Sequence, residues 1–260
     1  MSSSTTIDSS SNGITNATAP SPDASLDVLL FDLDGTLYDQ ACGYEESIHN
    51  NIFQFMVDKQ GGKFDGIDTI EQAKMIWKPI FDKYNLTKRG LLGEGFEFDG
   101  REYDTYIRRG ADKYIREDPE LRKFLLSLPK ASRKIIFTNA PETSANEILS
   151  LLGVQDIFEI VIGTDFFNNE ICKPELGTFT KVLDGYLNLP KDQYHRVCYF
   201  EDSFKNLLVG KKLGLTTVFV QSETLINEGR TIEDLQEQFD AVIVGKVGMG
   251  LKETLPQLWQ

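Results

Sequence analysis

The run Val28-Leu29-Leu30-Phe31-Asp32-Leu33-Asp34-Gly35-Thr36-Leu37 limits what this chain can become more than any other segment. A strand-type apolar run ends on two aspartates spaced i, i+2, and a Gly-Thr turn follows at once. Side chains at i and i+2 of a strand share a face. The two carboxylates are therefore presented together where the strand stops. Such a pair repels itself unless a cation or a shared proton lies nearby. That arrangement suits Mg²⁺-assisted phosphoryl chemistry with an aspartate nucleophile. The plainer alternative is a strand closed by an Asp-Gly turn, which is common. Asp-x-Asp-Gly-Thr fixes four residues, so a chance match in a chain of this length is on the order of one in a thousand.

A length of 260 residues allows one sizeable α/β domain with a smaller insertion. The formal charge of −13 makes nucleic-acid polymers and anionic membranes poor partners. A small anionic substrate stays open, because a local cation can reverse the field inside a cleft. Cys42, Cys172 and Cys198 are scattered, and His49 and His195 are the only histidines, so a zinc site is not expected. The thiols read as free, in a reducing compartment. Residues 1–24 are rich in Ser, Thr and Asn and carry no apolar h-region, and the first basic residue is Lys59. Neither a secretory signal nor an Arg-rich transit peptide is expected, and the segment reads as a disordered tail. Asn16-Ala17-Thr18 fits the glycosylation triplet, but nothing else points to secretion. No apolar run reaches 18 residues, so no membrane span is expected. The expectation is a soluble, monomeric cytoplasmic or nuclear protein.

After the first strand the pattern changes. From about Gly43 to Arg116 the chain reads as helices. Glu45 to Val57 and Ile70 to Tyr84 each carry an apolar face, with Pro79 expected to kink or end the second. Arg89-Gly90-Leu91-Leu92-Gly93-Glu94-Gly95 reads as a loop, and Tyr103 to Ile115 as a helix. Strands and helices then alternate. Strands are expected at Lys134–Thr138, Phe158–Ile162, Val197–Phe200, Thr217–Val220 and Ala241–Val244. Helices are expected from Asp118 (as N-cap) to Leu128, Thr143–Leu152, Glu175–Leu187 and Lys205–Leu213. Such alternation implies a parallel sheet covered on both faces. Ligands in these sheets bind beyond the carboxyl ends of the strands, where Asp32 and Asp34 fall.

Three further strand ends carry polar residues. Thr138-Asn139 offers a hydroxyl and a backbone N–H to a phosphoryl oxygen, or is simply a turn. Lys173 precedes Pro174 at a helix start, which favours an anion, or is a solvated loop lysine. Glu201-Asp202-Ser203 repeats the paired carboxylates. Asp202 could complete a Mg²⁺ site, and Glu201 could be a further ligand or hold Lys173. Alternatively, Asp202 or Ser203 caps the next helix.

The series Asp32 and Asp34, then Thr138, then Lys173, then Glu201 and Asp202 resembles the four ordered motifs of the haloacid dehalogenase-like hydrolase superfamily, over residues 27–245. The resemblance implies a Rossmann-like α/β core (residues 25–40 and 117–260) and a small helical cap inserted after the first strand (residues 41–116). It implies phosphoester hydrolysis through an aspartyl-phosphate. Asp32 would be the nucleophile and Asp34 the general acid/base. Thr138 and Asn139 would bind the phosphoryl group, and Lys173 would neutralise it. Mg²⁺ would sit on Asp32, Asp34 and Asp202. Asn206 stands where many members carry a further Asp or Gly. Asn85-Leu86-Thr87-Lys88-Arg89-Gly90-Leu91, Tyr103 and Asp118-Pro119-Glu120-Leu121-Arg122 resemble the fungal pyrimidine 5′-nucleotidase branch. That implies nucleoside 5′-monophosphates as substrates, with pyrimidines preferred. Arg89 is a candidate substrate contact, and Trp77 and Tyr103 are either stacking faces or core packing. The competing functions are a phosphatase or phosphomutase for another small phosphate ester, a dehalogenase, and a non-catalytic binding protein. The dehalogenase fits less well, because a leaving halide does not need the proton that Asp34 supplies.

Overall fold

A computed structural model describes residues 26–129, 132–222, 229–245 and 251–259. The expected tail and the glycosylation triplet lie outside the described residues. Six parallel strands form one sheet: β1 (Val28–Phe31), β2 (Arg133–Phe137), β3 (Ile160–Ile162), β4 (Val197–Glu201), β5 (Thr216–Gln221) and β6 (Ala241–Val244). Their order is β3-β2-β1-β4-β5-β6, the order of a doubly wound Rossmann-like sheet. The chain direction of assembly reverses between β1 and β4, so the switch point lies between the two acidic strand ends.

Alternate residues of each central strand serve opposite faces. Leu29, Phe31, Ile136, Cys198 and Phe200 enter one apolar cluster, and Val28, Leu30, Ile135, Phe137, Val197 and Tyr199 enter the other. Because both faces are covered, these strands read as unbroken apolar runs. Phe31 pairs in register with Phe200 and Ile136. Its ring stacks on Phe200 with centroids 4.4 Å apart. This register carries the residues just beyond each strand to one edge of the sheet.

Between β1 and β2 the chain forms α1 (Tyr44–Asp58), α2 (Ile70–Tyr84), α3 (Thr87–Gly93) and α4 (Gly100–Arg108). Then come α5 (Pro119–Ser127), α6 (Glu142–Leu152), α7 (Leu176–Thr180), α8 (Phe204–Leu213), α9 (Ile232–Gln238) and α10 (Leu251–Thr254). Asp118 caps α5 as expected, accepting from Glu120 N and Leu121 N. No helix among the described residues is long and apolar enough to cross a membrane.

Three local expectations need correction. The Gly-rich segment expected as a loop is helix α3. Its glycines serve packing rather than turning: a Cβ at Gly90 would stand 2.5 Å from Ile80 Cγ2, and one at Gly93 would stand 3.1 Å from the Tyr84 ring. Helix α2 runs through Pro79 to Tyr84, anchored on both sides of the proline by buried Ala73 and Ile80. The helix expected to reach Ile115 ends at Arg108, and Gly110 at φ 81° separates it from a short 3₁₀ turn at Ala111–Lys113.

Candidate active site

The ends of β1, β2 and β4 and the segment before α7 converge on a cavity of about 290 Å³, roofed by α1, α2, α3 and α4. Asp32, Asp34, Thr138, Asn139, Lys173, Glu201 and Asp202 all line it. Asp32 directly follows β1, and its backbone N–H donates to Phe200 O at 2.9 Å, which continues the sheet register into the site.

Lys173 is fully enclosed. Its Nζ lies 2.7 Å from Glu201 Oε2, 2.8 Å from Phe137 O and 3.1 Å from Asp32 Oδ1. Burial works against its charge, but Asp32 and Glu201 outweigh this and hold the ammonium above its usual range. Glu201 also accepts from Tyr199 Oη and from Ser203 N. Of the two roles open to Glu201, the geometry favours holding Lys173. Asn139 binds Lys173 from the other side, accepting from its N–H at 2.9 Å and donating to its carbonyl at 3.0 Å. Both polar ends of that side chain are committed to placing the lysine, although the residue borders the cavity. Thr138 is buried, and its Oγ1 accepts from Ala140 N at 3.2 Å.

Ligand oxygens of Asp32, Glu201 and Asp202 lie within 4.8 Å of one another. Burial and the charge of Glu201 push the Asp32 and Asp202 carboxyls well above the ordinary carboxylate range. Asp32 Oδ1 has no well-directed hydrogen bond, and Asn206 Oδ1 in the same cavity is buried without a partner. Carboxylates crowded in this way, with Asp32 Oδ1 and Asn206 Oδ1 left over, are a fitting set of hard donors for a divalent cation such as Mg²⁺. Thr36 Oγ1 and Gln40 Nε2 orient Asp202, donating at 3.1 and 2.6 Å. Gly35, at φ +74°, sits against the Asp202 carboxylate where a Cβ would collide with it.

The carboxylate of Asp34 lies outside that cluster. Arg108, the last residue of α4, grips it with a fork of two bonds, Nη1 to Oδ1 at 2.9 Å and Nη2 to Oδ2 at 2.6 Å. Tyr38 Oη adds a third at 2.5 Å. Burial pushes the Asp34 carboxyl up, but Arg108 and Tyr38 outweigh it and hold Asp34 below its usual range. Arg89 does not line the cavity. It spans the seam between the helical insert and the sheet domain, pairing with Glu175 at 2.5 Å and donating to Glu170 O and Tyr84 O. Trp77 packs against Phe53, Phe81 and His49 and donates to Thr87 Oγ1. Tyr103 is buried against Phe55 and Phe98, with an edge on the cavity.

Sequence reasoning missed Arg108, Glu45, Tyr38 and the buried Lys88–Asp104 ion pair. Arg108 lies 74 residues from Asp34 and reads locally as an ordinary basic helix C-terminus. Glu45 reads as an ordinary acidic first turn.

A family model described as a haloacid dehalogenase-like hydrolase matches residues 26–214. Phosphate metabolism protein 8 of Saccharomyces cerevisiae is 26% identical over 236 residues, covering 86% of this chain and 67% of that protein. Among solved structures, a HAD phosphatase from Thermococcus onnurineus is similar at a TM-score of 0.55 and 18% identity, covering 84% of this chain and 93% of that one. A predicted phosphoglycolate phosphatase from Haemophilus somnus 129PT is similar at 0.53 and 18%, covering 88% and 98%. At such identities the solved structures speak to the fold alone. The family match spans most of the chain, and with the sheet order and the acidic strand ends it leads to one assignment: this chain belongs to the haloacid dehalogenase-like hydrolases.

Proposed function

We propose that the chain is a Mg²⁺-dependent phosphatase acting on nucleoside 5′-monophosphates, pyrimidines preferred, with residues 41–116 as its cap. The observation that carries this reading is Asp32 set between Lys173, 3.1 Å away, and Asp202 on the cavity floor. A phosphoryl group placed there meets a carboxylate, an ammonium and a polar strand end at once. Mg²⁺ on Asp32 and Asp202 would offset the negative charge of that group.

An oxygen of Asp32 attacks phosphorus and the bond to the ester oxygen breaks, giving an aspartyl-phosphate and an alcohol. Asp34, ionised in the fork of Arg108 and Tyr38, first takes up a proton from solvent, gives it to the leaving oxygen, and then takes one from the water that attacks the aspartyl-phosphate. Phosphate leaves and Asp32 is restored. Lys173 balances the charge on Asp32 and the phosphoryl oxygens throughout. Thr138 Oγ1 and the Asn139 N–H receive those oxygens. Tyr38 and Arg108 fix the direction of Asp34.

Ile48, Ile52, Phe81 and Ile107 give the cavity an apolar wall above this polar floor. A flat base suits the wall, and a phosphate suits the floor. The fungal relative, whose name refers to phosphate metabolism, is in keeping with this reading. The experiment is phosphate release from UMP, CMP, AMP, phosphoglycolate and phenyl phosphate, with Mg²⁺ and with EDTA. Release should need Mg²⁺ and be fastest for UMP or CMP. Faster release from phosphoglycolate than from every nucleotide would reject the substrate class, and full activity in EDTA would reject the metal.

A further inference from the structure

Four polar atoms on residues that line the cavity are buried without a partner and have no use in this mechanism: Tyr103 Oη, Thr164 Oγ1 and two at the ends of the insert's helices. Glu45 Oε1, on the first turn of α1, and Arg108 Nε, at the end of α4, are both buried without a hydrogen-bond partner. Both residues line the cavity, and Tyr44 Oη donates to Arg108 O at 2.6 Å, tying the two helix ends together. A buried polar atom left unpaired has given up its water for nothing, so such atoms mark contacts completed by something else. One of these atoms is a carboxyl oxygen and the other an N–H donor. A hydroxyl can answer either one, since it donates and accepts. A carbonyl would satisfy only the donor, and an amine only the oxygen.

Their position narrows the ligand. The Nη atoms of Arg108 hold Asp34, the group that meets the ester oxygen of the substrate in the mechanism above. Nε belongs to the same guanidinium, so it lies within a few ångströms of the group that meets that oxygen. Burial and the nearby charge of Asp34 raise the Glu45 carboxyl to about 8. Near neutral pH it can then donate as well as accept, and a hydroxyl fits either sense.

Resting on the phosphatase reading, we infer that Glu45 and Arg108 Nε form a leaving-group subsite that reads a sugar hydroxyl beside the ester oxygen, which makes ribose-bearing monophosphates the substrate class. Glu45 supplies the contact and Arg108 shares it. The apolar wall beyond is left to the base.

The test is binding without turnover. Asp32→Asn protein in Mg²⁺ buffer is titrated calorimetrically with UMP, 2′-deoxy-UMP and 3′-deoxy-UMP. These ligands share the base and the phosphate, so only the hydroxyl contact changes. At least one deoxy analogue should bind roughly 10- to 100-fold more weakly than UMP, and adding Glu45→Ala should shrink that gap to about threefold or less. Equal affinities, no binding of any of the three, or a gap untouched by Glu45→Ala would overturn the subsite. Phosphate release by the wild-type chain is read alongside. If no ester is hydrolysed while the hydroxyl preference stands, the phosphatase reading fails and the subsite survives.

Discussion

Asp32 and Asp202 sit where chemistry wants carboxylates and where folding does not. Burial beside Glu201 raises both carboxyls well above the ordinary range. The folded protein thus prefers their protonated forms. The contribution of Asp32 to stability is fully present below its unfolded value and is lost as pH rises through the higher folded value. Lys173 opposes this but does not reverse it, since the net shift stays upward. Asp32→Asn should therefore abolish turnover and still raise Tm in EDTA at pH 8 by roughly 2–4 °C. Mg²⁺ should raise the wild-type Tm by mass action and raise that of the variant less. A lower Tm for Asp32→Asn in EDTA would mean that the ion pair with Lys173 outweighs the crowding. These same residues were legible beforehand, because each stands at the end of an apolar strand and strand ends meet at one sheet edge. Arg108 and Glu45 were not, because nothing local tells where a helix of the insert will aim its end. Asn139 was legible as a site residue for its backbone N–H, but the hold of its side chain on the Lys173 backbone was not.

Among the elements, α3 shows where local rules mislead. Gly90 and Gly93 read as punctuation, yet they let α3 approach α2 closely. Removing a helical glycine normally stabilises by about 1 kcal/mol. Here the added methyl would meet Ile80 at 2.5 Å and Tyr84 at 3.2 Å. Overpacking costs about 1–3 kcal/mol, so Gly90→Ala should be destabilising on balance, by up to about 2 kcal/mol in denaturant unfolding. A gain in stability would show that Ile80 simply turns aside. The strands were easier to read than the helices of the insert. A strand buried on both faces is an unbroken apolar run, whereas α3 is short and its composition resembles a turn.

At the scale of the molecule, the cavity exists only while the insert lies on the sheet domain. Arg89 and Lys205 tie the same corner, the end of α2, to the sheet domain. Arg89 pairs with Glu175 and donates to Glu170 O and Tyr84 O, while Lys205 Nζ donates to Asn85 Oδ1 at 2.6 Å. We propose that Arg89 is a latch rather than a substrate contact. Arg89→Ala should then lower kcat/KM by a similar factor for UMP, AMP and phenyl phosphate. A loss confined to the nucleotides would return Arg89 to substrate recognition.

The central claim, that Asp32 accepts the phosphoryl group, has a direct measurement. Protein mixed with UMP and Mg²⁺ is acid-quenched within the first turnover, reduced with borohydride and mapped by mass spectrometry. An acyl phosphate on Asp32 is reduced to the alcohol, so residue 32 should appear as homoserine, and should not do so when UMP is omitted. Reduction at another carboxylate, or at none while UMP is being hydrolysed, would contradict the assignment.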